Sequence, residues 1–179
     1  MLTWLKSSRD RRQVARSLYG SSVTAARAPV FYAQWGVPDT LQGRFEMIAL
    51  HVALALRRLG AEGGAGRRLG VALTEAFVVD MDDGMRELTF GDLAVPREIK
   101  RATAALFDRH AAYLAALAAT SDMSVAEALQ AQLGYLAPGG HLDGRRLAEY
   151  VKRCASALDA QPAAQILAGR IAWPDPAGS

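Results

Sequence analysis

The sequence predicts an all-α, single-domain bundle of about six to seven helices around a central helix near residues 40–59. Three observations predict it. Ala and Leu, the strongest helix formers, dominate the apolar residues, whereas β-branched Ile is scarce and Thr modest. Apolar positions recur at spacings of three and four in segment after segment. Alternating strand patterns, internal repeats and low-complexity blocks do not occur. The 179 residues suit one domain, and 51% apolar with 22% charged is a composition that folds.

A first helix is expected from about Asp10 to Ala28, with Val14, Leu18 and Val23 roughly on one side. Pro29 opens a short aromatic segment from Val30 to Trp35, closed by Gly36 and Pro38. Asp39 is the expected N-cap of a helix over Thr40 to Leu59. There Leu41, Phe45, Ile48, Val52, Leu56 and Leu59 form one stripe, and Met47, Leu50 and Leu54 an opposite patch. A helix apolar on two faces is a central one, wrapped by others.

Gly60 to Gly66 reads as a flexible turn. The following helix, Arg67 to Thr89, aligns Leu69, Leu73, Ala76, Asp80, Asp83 and Glu87 on one seam, greasy first and acidic later. After the loop at 91–96, Pro96 suits the first position of a helix reaching about Ala119, with Ile99, Thr103, Leu106, His110, Tyr113 and Leu117 in register. Ser124 starts a shorter helix ending near Gly134. Asp143 caps a last long helix whose inner side is Leu147, Val151, Cys154 and Leu158. The expected organisation is a basic amphipathic segment at 1–16, a helical domain at 17–160, and a helix end and loose tail at 161–179.

Charge is unevenly spread. Through Gly60, nine Lys and Arg face three carboxylates; the rest carries twelve against fifteen, for a net +3. Such a basic start suits RNA, a phospholipid surface or an acidic protein, or is simply a solvated helix face. Trp4, Leu5 and Lys6 with Arg9, Arg11, Arg12 and Arg16 are the expected membrane or ribosome contacts, shallow and reversible. The single cysteine, Cys154, excludes an internal disulfide framework and fits a reducing compartment. No stretch reaches the roughly 18 apolar residues of a membrane span, and Met1 to Lys6 is too short for a secretory core. The expected location is the cytoplasm, peripheral on the inner face of the membrane.

Catalytic chemistry is hard to assemble here. His51, His110 and His141 lack the paired spacing of a helical metal site. His110 and Cys154 fall on apolar seams, where both residue types act as core groups. Asp80-Met81-Asp82-Asp83-Gly84 superficially resembles a calcium loop, but its glycine comes one place early and Gly91 replaces the closing glutamate. The glycines at 60, 63, 64 and 66 lack a preceding strand and a Gly-Lys-Ser/Thr ending. The expectation is a non-enzyme with no cofactor and no metal. The acidic seam has two readings: a salt-bridge cluster with Arg97, Lys100 or Arg101, or a rim beside a groove for a basic or helical partner.

Several blocks carry a family resemblance: Leu18-Tyr19-Gly20, Phe31-Tyr32, and Val37-Pro38-Asp39-Thr40-Leu41 with Gly43-Arg44-Phe45-Glu46-Met47. Leu50-His51-Val52, Leu56-Arg57-Arg58-Leu59, Asp80-Met81-Asp82, Arg86-Glu87 and Gly91-Asp92-Leu93 with Val95-Pro96 continue it. Over roughly Ser17 to Leu117 the chain resembles the ubiquinol–cytochrome c chaperones, in a bacterial form. The resemblance implies a helical, non-catalytic chaperone that binds newly made cytochrome b during assembly of ubiquinol–cytochrome c reductase. A small partner protein and the ribosome are further partners in the mitochondrial members; DNA is not.

On the matched positions and their immediate neighbours, Phe31, Tyr32, Trp35, Arg44, Met47, His51, Asp80, Asp82, Arg86, Asp92 and Arg97 are the expected client or partner surface. The Met47/Leu50/Leu54 side and the Met81/Met85 pair are the expected greasy patches. Two competing classes are an RNA- or ribosome-associated helical module, resting on the four amino-terminal arginines, and a metal-binding helical protein using the acidic seam.

Overall fold

The computed structural model describes residues 2–87, 95–119, 124–136 and 142–178, with side chains over 8–83 of the first stretch. Among these residues no strand occurs. The helices are α1 (Leu2–Ala26), α2 (Pro29–Ala33), α3 (Leu41–Gly60), α4 (Gly63–Glu87), α5 (Val95–Ala118), α6 (Ser124–Leu133), α7 (Gly144–Ala160) and α8 (Ala163–Leu167), with a 3₁₀ turn at Gly134–Leu136. The all-α expectation holds. None of the described helices is long and apolar enough to cross a membrane.

α3 is the central helix, packed against α1, α4, α5, α6 and α7. Both apolar sides supply the core: Ile48, Val52 and Leu59 from one, Met47, Leu50 and Leu54 from the other. Burying each large side chain contributes about 1.5–3 kcal/mol, so this helix anchors the bundle. Its cap differs from expectation. Thr40, not Asp39, is the N-cap, and its Oγ1 accepts from the Gly43 amide at 3.1 Å. Thr40 has the extended backbone that an N-cap needs, and Asp39 turns instead to Arg44 at 2.6 Å. A Cβ on Gly43 would lie 2.0 Å from the Pro38 carbonyl oxygen, so this close entry admits only glycine.

α4 starts inside the glycine-rich stretch, earlier than expected. A Cβ on Gly66 would fall 2.0 Å from the Leu59 carbonyl oxygen; the missing side chain lets the α3–α4 turn close tightly. α1 likewise extends back to Leu2, so residues 2–16 of the basic segment are part of a longer helix.

The Asp143 cap holds, accepting from the Arg146 amide at 3.0 Å. Leu147, Val151, Cys154 and Leu158 are fully buried, as their spacing predicts. At the other end of α7, Arg58 donates from Nε to the Leu158 carbonyl at 2.7 Å and from Nη2 to that of Gln161 at 3.0 Å. Arg57 binds the Ala155 carbonyl at 3.0 Å and Asp159 at 2.7 Å. Cations at carbonyls that lack helical partners stabilise a helix end.

The stretch after α7 packs on the bundle as far as Trp173, where the loose tail is expected to begin. α8 buries Ile166, and the chain then returns across α1. Gln161 brackets Ala172, donating to its carbonyl at 2.9 Å and accepting from its amide at 2.8 Å. Trp173 Nε1 donates to Ser21 Oγ at 3.1 Å, and its ring centre lies 5.0 Å from that of His51.

Candidate interaction site

The periodicity of α1 and α4 builds an open groove between them. Ala15, Leu18, Tyr19, Ser22 and Ala26 turn α1 inward, leaving Arg12, Arg16 and Gly20 outside. α4 buries Leu69, Ala72, Leu73 and Phe77. Its outer positions at intervals of four are Val71, Glu75, Val79 and Asp83. Between the two helices lies a space of about 640 Å³. Arg12, Arg16 and Gly20 line one side; Glu75, Val79, Asp80 and Asp83 are among the lining of the other.

One bond ties the walls together. The Tyr19 hydroxyl donates to Asp80 Oδ2 at 2.7 Å, while its ring meets Phe77 edge-on at 6.3 Å. Burial, and then the bond to the carboxylate, push the Tyr19 pKa up, so the phenol keeps its proton and remains the donor. Asp80 of the acidic seam therefore pairs with α1 rather than with α5. Arg97 and Arg101 both turn to Glu98 on their own helix, at 3.1 and 2.9 Å, and among the described residues neither pairs with the seam.

A second hollow, about 480 Å³, joins two other expected residues, Tyr32 and Arg44, with Arg27 and Asp39. Tyr32 is half-buried and donates its hydroxyl to the Ala26 carbonyl at 2.8 Å. Arg44 is exposed and bound to Asp39; the guanidinium hydrogen bond holds the carboxyl below the usual range.

The fold thus matches the expected helices, and its surface can be set beside known proteins. The model of the ubiquinol–cytochrome c chaperone family matches residues 33–173. The crystal structure of a Cbp3 homolog from Brucella abortus is similar at 33% sequence identity, with a TM-score of 0.84 and 98% of each chain covered. This chain belongs to the ubiquinol–cytochrome c chaperone family. Comparison with the curated proteins finds no match. The family match runs on through α7 and α8, well past the Leu117 limit of the sequence resemblance, and begins later, at Ala33.

In this chaperone-family fold several expected surface residues are interior. Phe31, Trp35, Met47 and His51 are buried, and so are Leu50 and Leu54. The reason is that α3 is covered on both sides and α2 folds inward as a helix, setting Phe31 edge-on against Trp35 at 5.2 Å and Tyr150 at 5.1 Å. The greasy patch expected at Met47/Leu50/Leu54 is core. Met81 is half-buried against that core. Asp80 is exposed and Asp82 half-buried. The side chains of Trp4, Leu5, Lys6, Met85 and Arg86, and all of Asp92, lie outside the described residues. Arg9, Arg12 and Arg16 are exposed on α1, with Arg11 half-buried.

His51 has both ring nitrogens engaged, Nδ1 with the Met47 carbonyl at 2.7 Å and Nε2 with the Tyr150 hydroxyl at 2.8 Å. A carbonyl only accepts, so Nδ1 carries the proton and Nε2 accepts from Tyr150. Burial pushes the His51 pKa down to about 4, so the ring is neutral. Burial likewise pushes the Cys154 thiol up to about 12, the setting of a small core residue and not of a nucleophile. His110 is satisfied by the Ala53 carbonyl at 3.1 Å.

One polar cluster was not anticipated from the sequence. Glu46, fully buried on α3, accepts from Arg109 Nη2 at 2.6 Å and from the Tyr135 hydroxyl at 2.7 Å, while Arg109 Nε holds its second oxygen. Gln42 adds a bond at 3.2 Å. The available signal was a lone carboxylate set among apolar residues on both faces of α3; its partner, 63 residues away, carried none.

Proposed function

We propose that this chain is an assembly chaperone that binds newly made cytochrome b and promotes biogenesis of ubiquinol–cytochrome c reductase, without catalysis of its own. Family membership across nearly the whole chain carries this reading. The surface chemistry supports it. The α1–α4 groove combines the exposed Val79 with arginines and carboxylates, a mixture suited to holding a polypeptide. The side chains most suited to nucleophilic or acid–base work, His51 and Cys154, are buried in the core.

The test is a tagged full-length chain in a cell that has a cytochrome bc operon. Unassembled cytochrome b should co-isolate with it from detergent-solubilised membranes. Deleting the gene should lower assembled reductase and its haem content. Normal reductase and haem levels in the deletion strain would end this reading.

A further inference from the structure

We infer that the α1–α4 groove binds a helix, and that its occupant is an amphipathic, extramembrane helix of the client rather than a membrane-spanning one. The inference rests on the chaperone reading and narrows it to one surface.

Gly20 is the first observation. It sits in the interior of α1, where glycine is less favourable than alanine. Its φ is not positive, and a Cβ built on it would meet nothing within 4 Å. Neither the backbone nor the chain's own packing calls for glycine there. What the missing side chain leaves is a low saddle in the groove wall. Helix axes approach most closely where the contact residues are small, so the saddle is a crossing point for another helix.

The charges are the second observation. Arg12 and Arg16 stand on one wall and Glu75, Asp80 and Asp83 on the other. Among the described residues no ion pair joins the two walls, and the hydrogen bond across them runs from Tyr19 to Asp80. A helix laid lengthwise would match these rows by carrying acidic residues toward α1 and basic residues toward α4.

The apolar content decides the class of helix. In the groove, Val79 is 58% exposed and lies between Glu75 and Asp83 along α4. A wholly apolar span laid here would strip water from both rows of charge without offering partners, which is strongly unfavourable. A segment with a narrow apolar edge between charged flanks suits the groove on every count. From Ala72 to Asp83 the wall is about 17 Å long at 1.5 Å per residue, or about three turns of helix.

The experiment uses the full chain in the same cells. Val79 is replaced by the photo-reactive p-benzoylphenylalanine, and Gly20→Leu and the double variant Arg12→Glu/Arg16→Glu are made separately. Illumination should crosslink position 79 to an extramembrane segment of cytochrome b, mapped by mass spectrometry. Gly20→Leu should melt no lower than the parent, because its side chain enters open space, yet recover cytochrome b about tenfold less well, the loss expected when one close contact is blocked. The arginine pair is exposed, so its reversal tests the groove even if Gly20→Leu misfolds. Recovery of client at the parent level by both variants, or a crosslink to a membrane span, would overturn the inference while the chaperone reading survives. A parent chain that recovers no cytochrome b removes both.

Discussion

Inside the bundle, charge is enclosed and matched; in the α1–α4 groove, Arg12, Arg16 and Asp83 stand in solvent without ion-pair partners among the described residues. Glu46 is held by Arg109, Tyr135 and Gln42, and Arg58 by Glu62 and two carbonyls. A charge taken out of water without compensation is very unfavourable, so the interior set must be complete for the bundle to form. Exposed charges add little to stability. The open face is therefore free to be shaped by what it meets, and the closed one is not.

The largest expected effect lies inside. Glu46→Ala leaves Arg109, only 12% exposed, without its counter-charge and should destabilise the fold by about 3–5 kcal/mol in urea titrations. Adding Arg109→Leu should recover much of that loss, since no charge then remains stranded. A single-variant loss under about 1 kcal/mol would show that enclosure matters less than supposed here.

The next effect is a pH dependence. His51 titrates near 4 in the folded chain and at an ordinary 6.5 when unfolded, so the unfolded chain takes up the proton first. Its contribution is whole above pH 6.5 and declines as pH falls toward 4, by up to about 3 kcal/mol. His51→Leu should flatten this part of the stability profile. An unchanged acid slope in that variant would assign the dependence to other groups.

The smallest effect is at the bond across the groove between Tyr19 and Asp80. Tyr19→Phe removes a single bond to an exposed carboxylate that water can solvate, so a loss of about 1 kcal/mol is expected by the same titration. A loss several times larger would mean that the groove wall is part of the core.

Much of the architecture was legible because it is local. Leu147, Val151, Cys154 and Leu158 repeat at helical spacing behind an aspartate cap, and a reader needs only one stretch of chain to see them. The choice between Asp39 and Thr40 as cap was not legible, because it depends on the 2.6 Å pairing of Asp39 with Arg44. The expected client surface failed at Phe31, Trp35, Met47 and His51 for a similar reason. Aromatic and methionine side chains serve a core or a contact equally well, and only the covering of α3 by five other helices decides between them. The Glu46–Arg109 pair spans 63 positions, beyond any periodicity.

The seat of Trp173 between Ser21 and His51 has a consequence for how the molecule is made. The amino-terminal helix and the central one share a lid that the ribosome adds more than a hundred residues later. Early helices can form and collapse as they emerge, yet the Trp173 side of His51 is covered only when translation has passed residue 173. A product clipped before residue 173 would lack the ring that covers this side of His51 and the bond to Ser21.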